Sequence, residues 1–342
     1  MIHACPEPIQ AYLDRLLEEN IASGYALAFS WQGQGYETAG GAVLTSSDGL
    51  IHIQPNTPFN VGSVTKIVTA ALAVKLAERG RLSLADPVAK HVPAYRYDHS
   101  ILQLMLHTAG FLPPEGLDWP KPEGMAAFRE RIYAHQAAEE ADRIATYYTQ
   151  GYVVLMDVLE AASGMRLAQL ARWELFEPLG MNDSAFDTQA WTPGTYTLPY
   201  DADNGGPLTA LEGLAVTGDS GLYSTAPDLL RFGRMLLDGG RHEGRQVFSG
   251  AAAGLLMREV TNGRFYKTPA MWMRGPADGY GCFGDLLSPA AVGHTAFSGC
   301  MLVADPGTGF AGALVTNSQK LHADWSNYRK LWNVALAHLT GL

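Results

Sequence analysis

Hydrophobic positions recur along this chain in two rhythms. A helical spacing places Ile9, Leu13, Leu16 and Leu17 on one face, so the spacing predicts an amphipathic helix near the start. GYALAFSWQGQGYETAGGAV (24–43) instead alternates and breaks at glycine pairs, as the two strands of a hairpin would, and LIHIQ (50–54) alternates again. Residues 64–79 predict a long helix ended by Gly80, followed by a loop over 80–93. From 100 to about 190 the pattern is mostly helical. ILQLMLHTAG ends at Gly110, MAAFRERIYAHQAAEEA and GYVVLMDVLEAASG carry helical spacing, and LAQLARWELFEPLG stops at Pro178. FLPPEGLDWPKPEG (111–124) is a Pro/Gly-rich loop long enough to be a lid or pocket wall. GHTAFSGCMLVADP (293–306) and GFAGALVTNSQ (309–319) read as two antiparallel strands joined by DPGTG, and a helix over about 323–340 follows.

Strands towards both ends with helices between them predict an α/β protein, an α+β sandwich with one antiparallel sheet flanked by helices. Residues 1–85 and 206–342 would build the sheet domain, with 86–205 as an inserted, mostly helical subdomain. The expected site is the groove between them, since small-molecule sites favour such junctions. Hydrophobic residues at 47% and charged residues at 17% can fill a core over 342 residues, which excludes a disordered chain. A net charge of −10 without any block of Lys or Arg argues against nucleic acid and anionic membrane as partners. Cys5, Cys282 and Cys300 are too far apart for a CxxC site, so we expect buried thiols and neither a disulfide framework nor a zinc site. No apolar run reaches the ~18 residues of a membrane span. The first residues lack the basic and apolar regions of a secretory leader, so the expectation is a cytoplasmic protein.

One apolar helix carries the candidate chemistry. In PFNVGSVTKIVTAAL (58–72), Ser63 and Lys66 are three apart, a spacing that puts both on one helical face. A serine hydroxyl needs a neighbouring base or relay to act as a nucleophile, and Lys66 is placed to supply it. A helix entrance also offers backbone N–H groups to a developing oxyanion. Against this, Ser63 could be a plain N-cap and Lys66 a lysine snorkelling to water. Other patterns carry less. Gly218-Asp219-Ser220-Gly221 mimics a protease nucleophile motif in a chain whose helical middle does not suit a double barrel. GYGCFG (279–284) satisfies GxGxxG with no strand–turn–helix around it, so a glycine-rich strand or loop is expected. Neither Gly-x-Ser-x-Gly nor His-Glu-x-x-His occurs. His107 reads as a structural hydrogen-bonder.

PFNVGSVTKIVTAALAVKLAERGRLSLADPVAKHVP resembles the nucleophile region of the serine β-lactamase-like superfamily. That superfamily includes class C β-lactamases, penicillin-binding DD-peptidases, D-aminopeptidases and family VIII-type carboxylesterases. LMLHTAGF, Tyr147-Tyr148-Thr149-Gln150-Gly151-Tyr152, LFEPLGMNDSAF, SGLYSTAPDLLRFG and GHTAFSG are similar to its further landmarks, in the same order and across nearly the whole chain. The resemblance implies that Ser63 is acylated, that Lys66 accepts or relays its proton, and that Tyr147 is the second acid/base. It implies that His294 contacts substrate or the relay, and that the backbone N–H groups of Ser63 and Phe297 form the oxyanion hole. It implies no metal and no organic cofactor.

Two positions depart from the family pattern. Thr149 stands where relatives have Asn, and a hydroxyl cannot reproduce an amide's donor–acceptor pair. Ala296 stands where the strand triplet normally ends in Gly, so a methyl group crowds the substrate strand. Both suggest an altered substrate without touching the serine chemistry, and the leading expectation is a small ester. A D-amino-acid peptidase or amidase, a β-lactamase, a biosynthetic acyltransferase or cyclising enzyme, and a catalytically silent binding protein stay open at this stage.

Overall fold

A computed structural model describes residues 2–45, 49–113, 124–186, 188, 191–192, 194–201, 205–211 and 216–341. The first part of the chain runs β1 (Ile2–Ala4), α1 (Glu7–Glu18), β2 (Gly24–Trp31), β3 (Gln34–Leu44), β4 (Leu50–His52) and β5 (Phe59–Asn60). Six helices follow: α2 (Thr65–Glu78), α3 (Ile101–Leu106), α4 (Met125–Ala134), α5 (Gln150–Ser163), α6 (Leu167–Ala171) and α7 (Glu177–Leu179). Next come β6 (Tyr223–Ser224), α8 (Ala226–Leu237), β7 (Arg241–His242), β8 (Arg245–Gln246) and α9 (Gly250–Met257). The last part holds β9 (Trp272–Met273), β10 (Val292–Thr295), β11 (Met301–Asp305) and β12 (Phe310–Thr316), then α10 (Gln319–Ala323) and α11 (Ser326–Thr340).

The main sheet has the order β1-β3-β2-β12-β11-β10-β9, with β4 paired to β3. All its pairings are antiparallel except β1 with β3. β12 lies against β2 in the register Leu314↔Leu27, which joins the N-terminal and C-terminal strands into one sheet. β2 is buried along nearly its whole length because helices cover both faces of the sheet. Tyr25, Leu27 and Phe29 point into a core shared with α1 and α11, whose Leu13, Leu331 and Trp332 fill it. Ala26, Ala28, Ala311 and Ala313 point the other way, and these small residues let α8 lie close on the sheet. Gly233 of α8 completes that fit, since a Cβ there would come 3.3 Å from Leu302.

α2 belongs to the second core and is enclosed on all sides, so it shows no polar stripe. Its apolar residues pack with Leu104, Tyr152, Leu155 and Leu175, and the core continues from the sheet through α2 into α3, α5 and the turns that follow. This enclosure is what makes Lys66 exceptional, because its side chain is 0% exposed.

Three expectations need correction. The stretch 293–306 is two strands, β10 and β11, reversing through Ala296–Cys300, where Ala296 N–H donates to the Cys300 carbonyl (2.8 Å) and Gly299 N–H to the Ala296 carbonyl (2.8 Å). Continuous apolar character hid that turn, whose Gly299 has φ 85° and leaves no space for a Cβ beside Ser318 O at 2.6 Å. The run after Leu167 does not stop at Pro178: a π-helical turn, Arg172–Phe176, leads into α7 and the run ends at the left-handed Gly180. Pro178 sits at the start of α7, directly after the π-helical turn. α4 ends at Ala134, well short of the expected 141. Within the loop 111–124, residues 114–123 lie outside the described residues. The glycine-rich 279–284 forms turns.

Candidate active site

The sharp turn before α2 creates the position of Ser63. β5 pairs with β6, and the Asn60 side chain then accepts from Gly62 N–H at 3.0 Å. Gly62 has φ 49°, and a Cβ there would meet the Ala296 Cβ and the Phe297 ring at 3.1 Å. A glycine therefore lets the turn approach the end of β10 closely. A 3₁₀ turn, Gly62–Val64, feeds α2, whose N-cap is Val64 with no side-chain cap bond. The hydroxyl of Ser63 is thus not used as an N-cap and makes two other contacts. Lys66 Nζ lies 3.2 Å from Ser63 Oγ, and the Tyr147 hydroxyl donates to the same oxygen at 2.8 Å.

A buried ammonium must be hydrogen-bonded to be tolerated. Lys66 also donates to the Asp219 carbonyl at 2.9 Å and lies 5.0 Å from the Tyr147 ring centroid and 5.7 Å from that of Tyr152. The segment carrying Asp219 is strapped to α2 by two more bonds. Thr69 Oγ1 donates to the Gly218 carbonyl (2.7 Å), and Leu222 N–H donates to Thr65 Oγ1 (3.1 Å). The Gly-Asp-Ser-Gly stretch thus presents a backbone carbonyl to Lys66, which explains why it occurs here without acting as a nucleophile motif.

Of the adjacent tyrosines, Tyr147 reaches Ser63, while Tyr148 is buried against Phe111 (centroids 4.6 Å apart) and His135 (5.7 Å). Thr149 does not line the cavity at Ser63: its hydroxyl donates to the Asp219 carboxylate at 3.0 Å. His294 is 3% exposed and stacks on Trp272 at 4.4 Å, with the Tyr147 ring 5.9 Å away. Its Nδ1 is 2.6 Å from the Thr295 carbonyl, which only accepts, so Nδ1 carries the proton and Nε2 is a bare acceptor. Nε2 is buried without a partner among the described residues. Burial, then Lys66, hold His294 well below the usual histidine range and so neutral. His107 is likewise kept neutral by burial, with Lys267 and Lys66 adding to the effect, and its ring lies 4.7 Å from that of Tyr147. Ala296 touches the turn at Gly62 and is not in the cavity wall.

Ser63 opens onto a cavity of about 370 Å3 walled by Tyr147, Phe297, Trp272, Tyr280 and Trp325. Trp272 stacks flat on Tyr280 at 4.9 Å and meets Trp325 at 5.4 Å, which makes one aromatic wall. Lys267 and His322 complete the lining together with Ala145 and Thr295. Burial pushes the Lys267 amine down to about 7, and its Nζ lies 5.8 Å from the Tyr280 ring centroid. The sequence reading missed Lys267, Trp272, Tyr280, His322 and Trp325. The available signal was the aromatic density of FYKTPAMW, with a lone lysine in it. Among the described residues, no three His, Cys, Asp or Glu side chains converge where a metal ion could bind.

Comparison with known proteins identifies the family. A family model described as Beta-lactamase matches residues 9–336. Penicillin-binding protein 4 of Amycolatopsis lactamdurans is 28% identical over 90% of this chain and 84% of its own length. The D-alanyl-D-alanine-carboxypeptidase/endopeptidase AmpH of Escherichia coli is 26% identical over 66% of this chain, which spans only 60% of that relative. Among solved structures, EstCE1, titled a hydrolase with promiscuous acyltransferase activity, superposes with a TM-score of 0.77 over 96% of this chain and 98% of its own, at 18% identity. The chain has the β-lactamase/penicillin-binding-protein fold and belongs to the beta-lactamase family.

Proposed function

We propose that the chain is a serine hydrolase in which Ser63 is acylated by small esters. The observation that carries this reading is the convergence of Lys66 Nζ and the Tyr147 hydroxyl on one oxygen, Ser63 Oγ, at the wall of an aromatic cavity. Ser63 Oγ attacks the ester carbonyl, and its proton passes into the Tyr147–Lys66 pair. The backbone amides of Ser63 and Phe297 are the donors assigned to the oxyanion. Collapse of the tetrahedral adduct breaks the ester C–O bond, and the leaving alkoxide takes the proton back through Tyr147. Water, deprotonated by the same pair, then attacks the Ser63 acyl ester; the bond from the acyl carbon to Ser63 Oγ breaks, the acid leaves, and Ser63 Oγ takes the proton back from the pair. Lys66 cannot move far, because the Asp219 carbonyl also holds it, so it serves as a fixed relay beside the phenol.

Esters come ahead of amides on one point: Thr149 spends its hydroxyl on Asp219, which offers a substrate amide no side-chain partner there. Acyl transfer to an alcohol is a second reading, favoured by the aromatic wall, which limits the water around an acyl-enzyme.

The test is intact-protein mass spectrometry of wild type, Ser63→Ala and Tyr147→Phe with a fluorophosphonate, a penicillin and short p-nitrophenyl esters. We expect an adduct on wild type, none on Ser63→Ala, and ester turnover lowered about 10²–10⁴-fold in Tyr147→Phe. Methanol added to the assay distinguishes transfer from hydrolysis by the methyl ester formed. Absence of any Ser63-dependent adduct would leave a silent binding protein as the reading.

A further inference from the structure

Lys267 has no role in the chemistry just described, yet it lines the same cavity as Ser63. It comes from a separate part of the chain, the segment between α9 and β9. Its side chain is nine-tenths or more buried, the whole residue being 5% exposed. Among the described residues its amine has no ion pair and no side-chain hydrogen bond; its recorded contact is the Tyr280 ring. A buried cation in that state lacks the partner that normally makes burial tolerable. Among the described residues the lining includes no Asp or Glu, although the chain as a whole carries a net charge of −10. The cavity is therefore electropositive within an acidic protein, and focuses anions.

We infer that Lys267 is the residue with which the cavity selects acidic substrates, namely esters whose acyl part carries a carboxylate. His294 cannot take this task in its present tautomer, because its Nε2 only accepts and a carboxylate offers it no proton. Lys267 Nζ has three donors and no acceptor, and the aromatic wall of Trp272 and Tyr280 suits the apolar body between ester and acid. A carboxylate arriving there supplies the missing ion pair and favours the charged amine.

This inference rests on the Ser63 ester-hydrolysis reading, and its test separates the two. The probes are the mono-p-nitrophenyl ester of glutarate and the p-nitrophenyl ester of pentanoate, similar in reach and differing in the terminal carboxylate. The quantity read is the ratio of their kcat/KM values in wild type, Lys267→Met and Lys267→Arg, with fluorophosphonate labelling of Ser63 run in parallel. Lys267→Met is expected to lower the glutarate-to-pentanoate ratio at least about tenfold, and Lys267→Arg to keep most of it. An unchanged ratio in Lys267→Met, or an equal loss on both esters, overturns the inference while labelling of Ser63 keeps the hydrolase reading intact. Loss of labelling in wild type removes the hydrolase reading itself, and this inference with it.

A second measurement needs no variant. The groups around Lys267 are His107 and His294, which feel its charge, and His322, Tyr147 and Tyr280, which share the lining; all three histidines are held below the ordinary range chiefly by burial. Since kcat/KM reports the free enzyme, the wild-type ratio is expected to fall between about pH 6 and about pH 9 as Lys267 loses its proton. A flat ratio across that range overturns the inference.

Discussion

Lys66 and Lys267 present the same physical problem with opposite outcomes. Both are buried, but Lys66 donates to Ser63 Oγ and the Asp219 carbonyl, while Lys267 has the Tyr280 ring and no oxygen among the described residues. The difference has a measurable consequence for stability. The folded Lys267 amine titrates at about 7 against an ordinary 10.5, so between those values the unfolded chain binds a proton that the folded chain does not. Stability of the wild type therefore rises with pH through that window, and below it the full cost of burying the charge is present. Lys267→Met removes a group that costs the folded state up to a few kcal/mol. We expect the variant to be more stable than wild type at pH 6, with the gap closing as pH approaches about 10. Urea midpoints at several pH values check this, and midpoints that shift equally at all of them would sink it. A residue that destabilises the fold yet lines the site is what selection for function rather than stability leaves behind.

At the scale of elements, the turn between β5 and α2 controls the site more than α2 itself does. Gly62 holds φ 49° while its neighbours on the β10–β11 turn, Ala296 and Phe297, lie where a Cβ would be at 3.1 Å. Gly62→Ala adds the strain of a left-handed alanine, about 1 kcal/mol, and pushes the Ser63 turn away from Phe297. Because the displaced groups are those assigned to the oxyanion, we expect kcat to fall about tenfold or more with only a few degrees lost from Tm. Loss of Tm with kcat intact would show that the turn is a structural device alone. α2 and the β2–β3 hairpin were legible from local signals, an apolar run ended by Gly80 and an alternation broken at glycine pairs. The β10–β11 reversal was not, since GHTAFSGCMLVADP is apolar on both sides of it and the tight packing of Gly299 against Ser318 is a long-range contact. For the same reason Ser63, Lys66 and Tyr147 could be named from short motifs, and Lys267, Trp272 and Trp325 could not. Lys267 and Trp272 come from one stretch and Trp325 from another, and no spacing rule joins either stretch to Ser63.

Across the whole molecule, the C-terminal segment joins one core to the cavity, with Trp332 at the centre of that core and Trp325 at its edge. Trp332 on α11 is fully buried in the core beneath α1, edge-on to Phe310 at 5.8 Å, with its Nε1 3.2 Å from Met301 Sδ. Trp325, seven residues earlier, packs at the edge of that same core and also lines the cavity, where it meets Trp272 and donates to His322 Nδ1 at 3.3 Å. No helix of the described residues is long and apolar enough to cross a membrane. Truncating the two tryptophans should give opposite results. Trp332→Ala empties a core position and is expected to cost about 3–5 kcal/mol, read as a lower urea midpoint, with kcat/KM of the folded protein near wild type. Trp325→Ala opens the aromatic wall instead, and KM for the aromatic ester is expected to rise about tenfold while the midpoint hardly moves. Should Trp325→Ala lose as much stability as Trp332→Ala, the edge of the core would be as structural as its centre and the separation of roles would be wrong. If the two separate as stated, substrate preference can be altered at the α10–α11 junction without disturbing the sheet that holds Ser63 against Phe297.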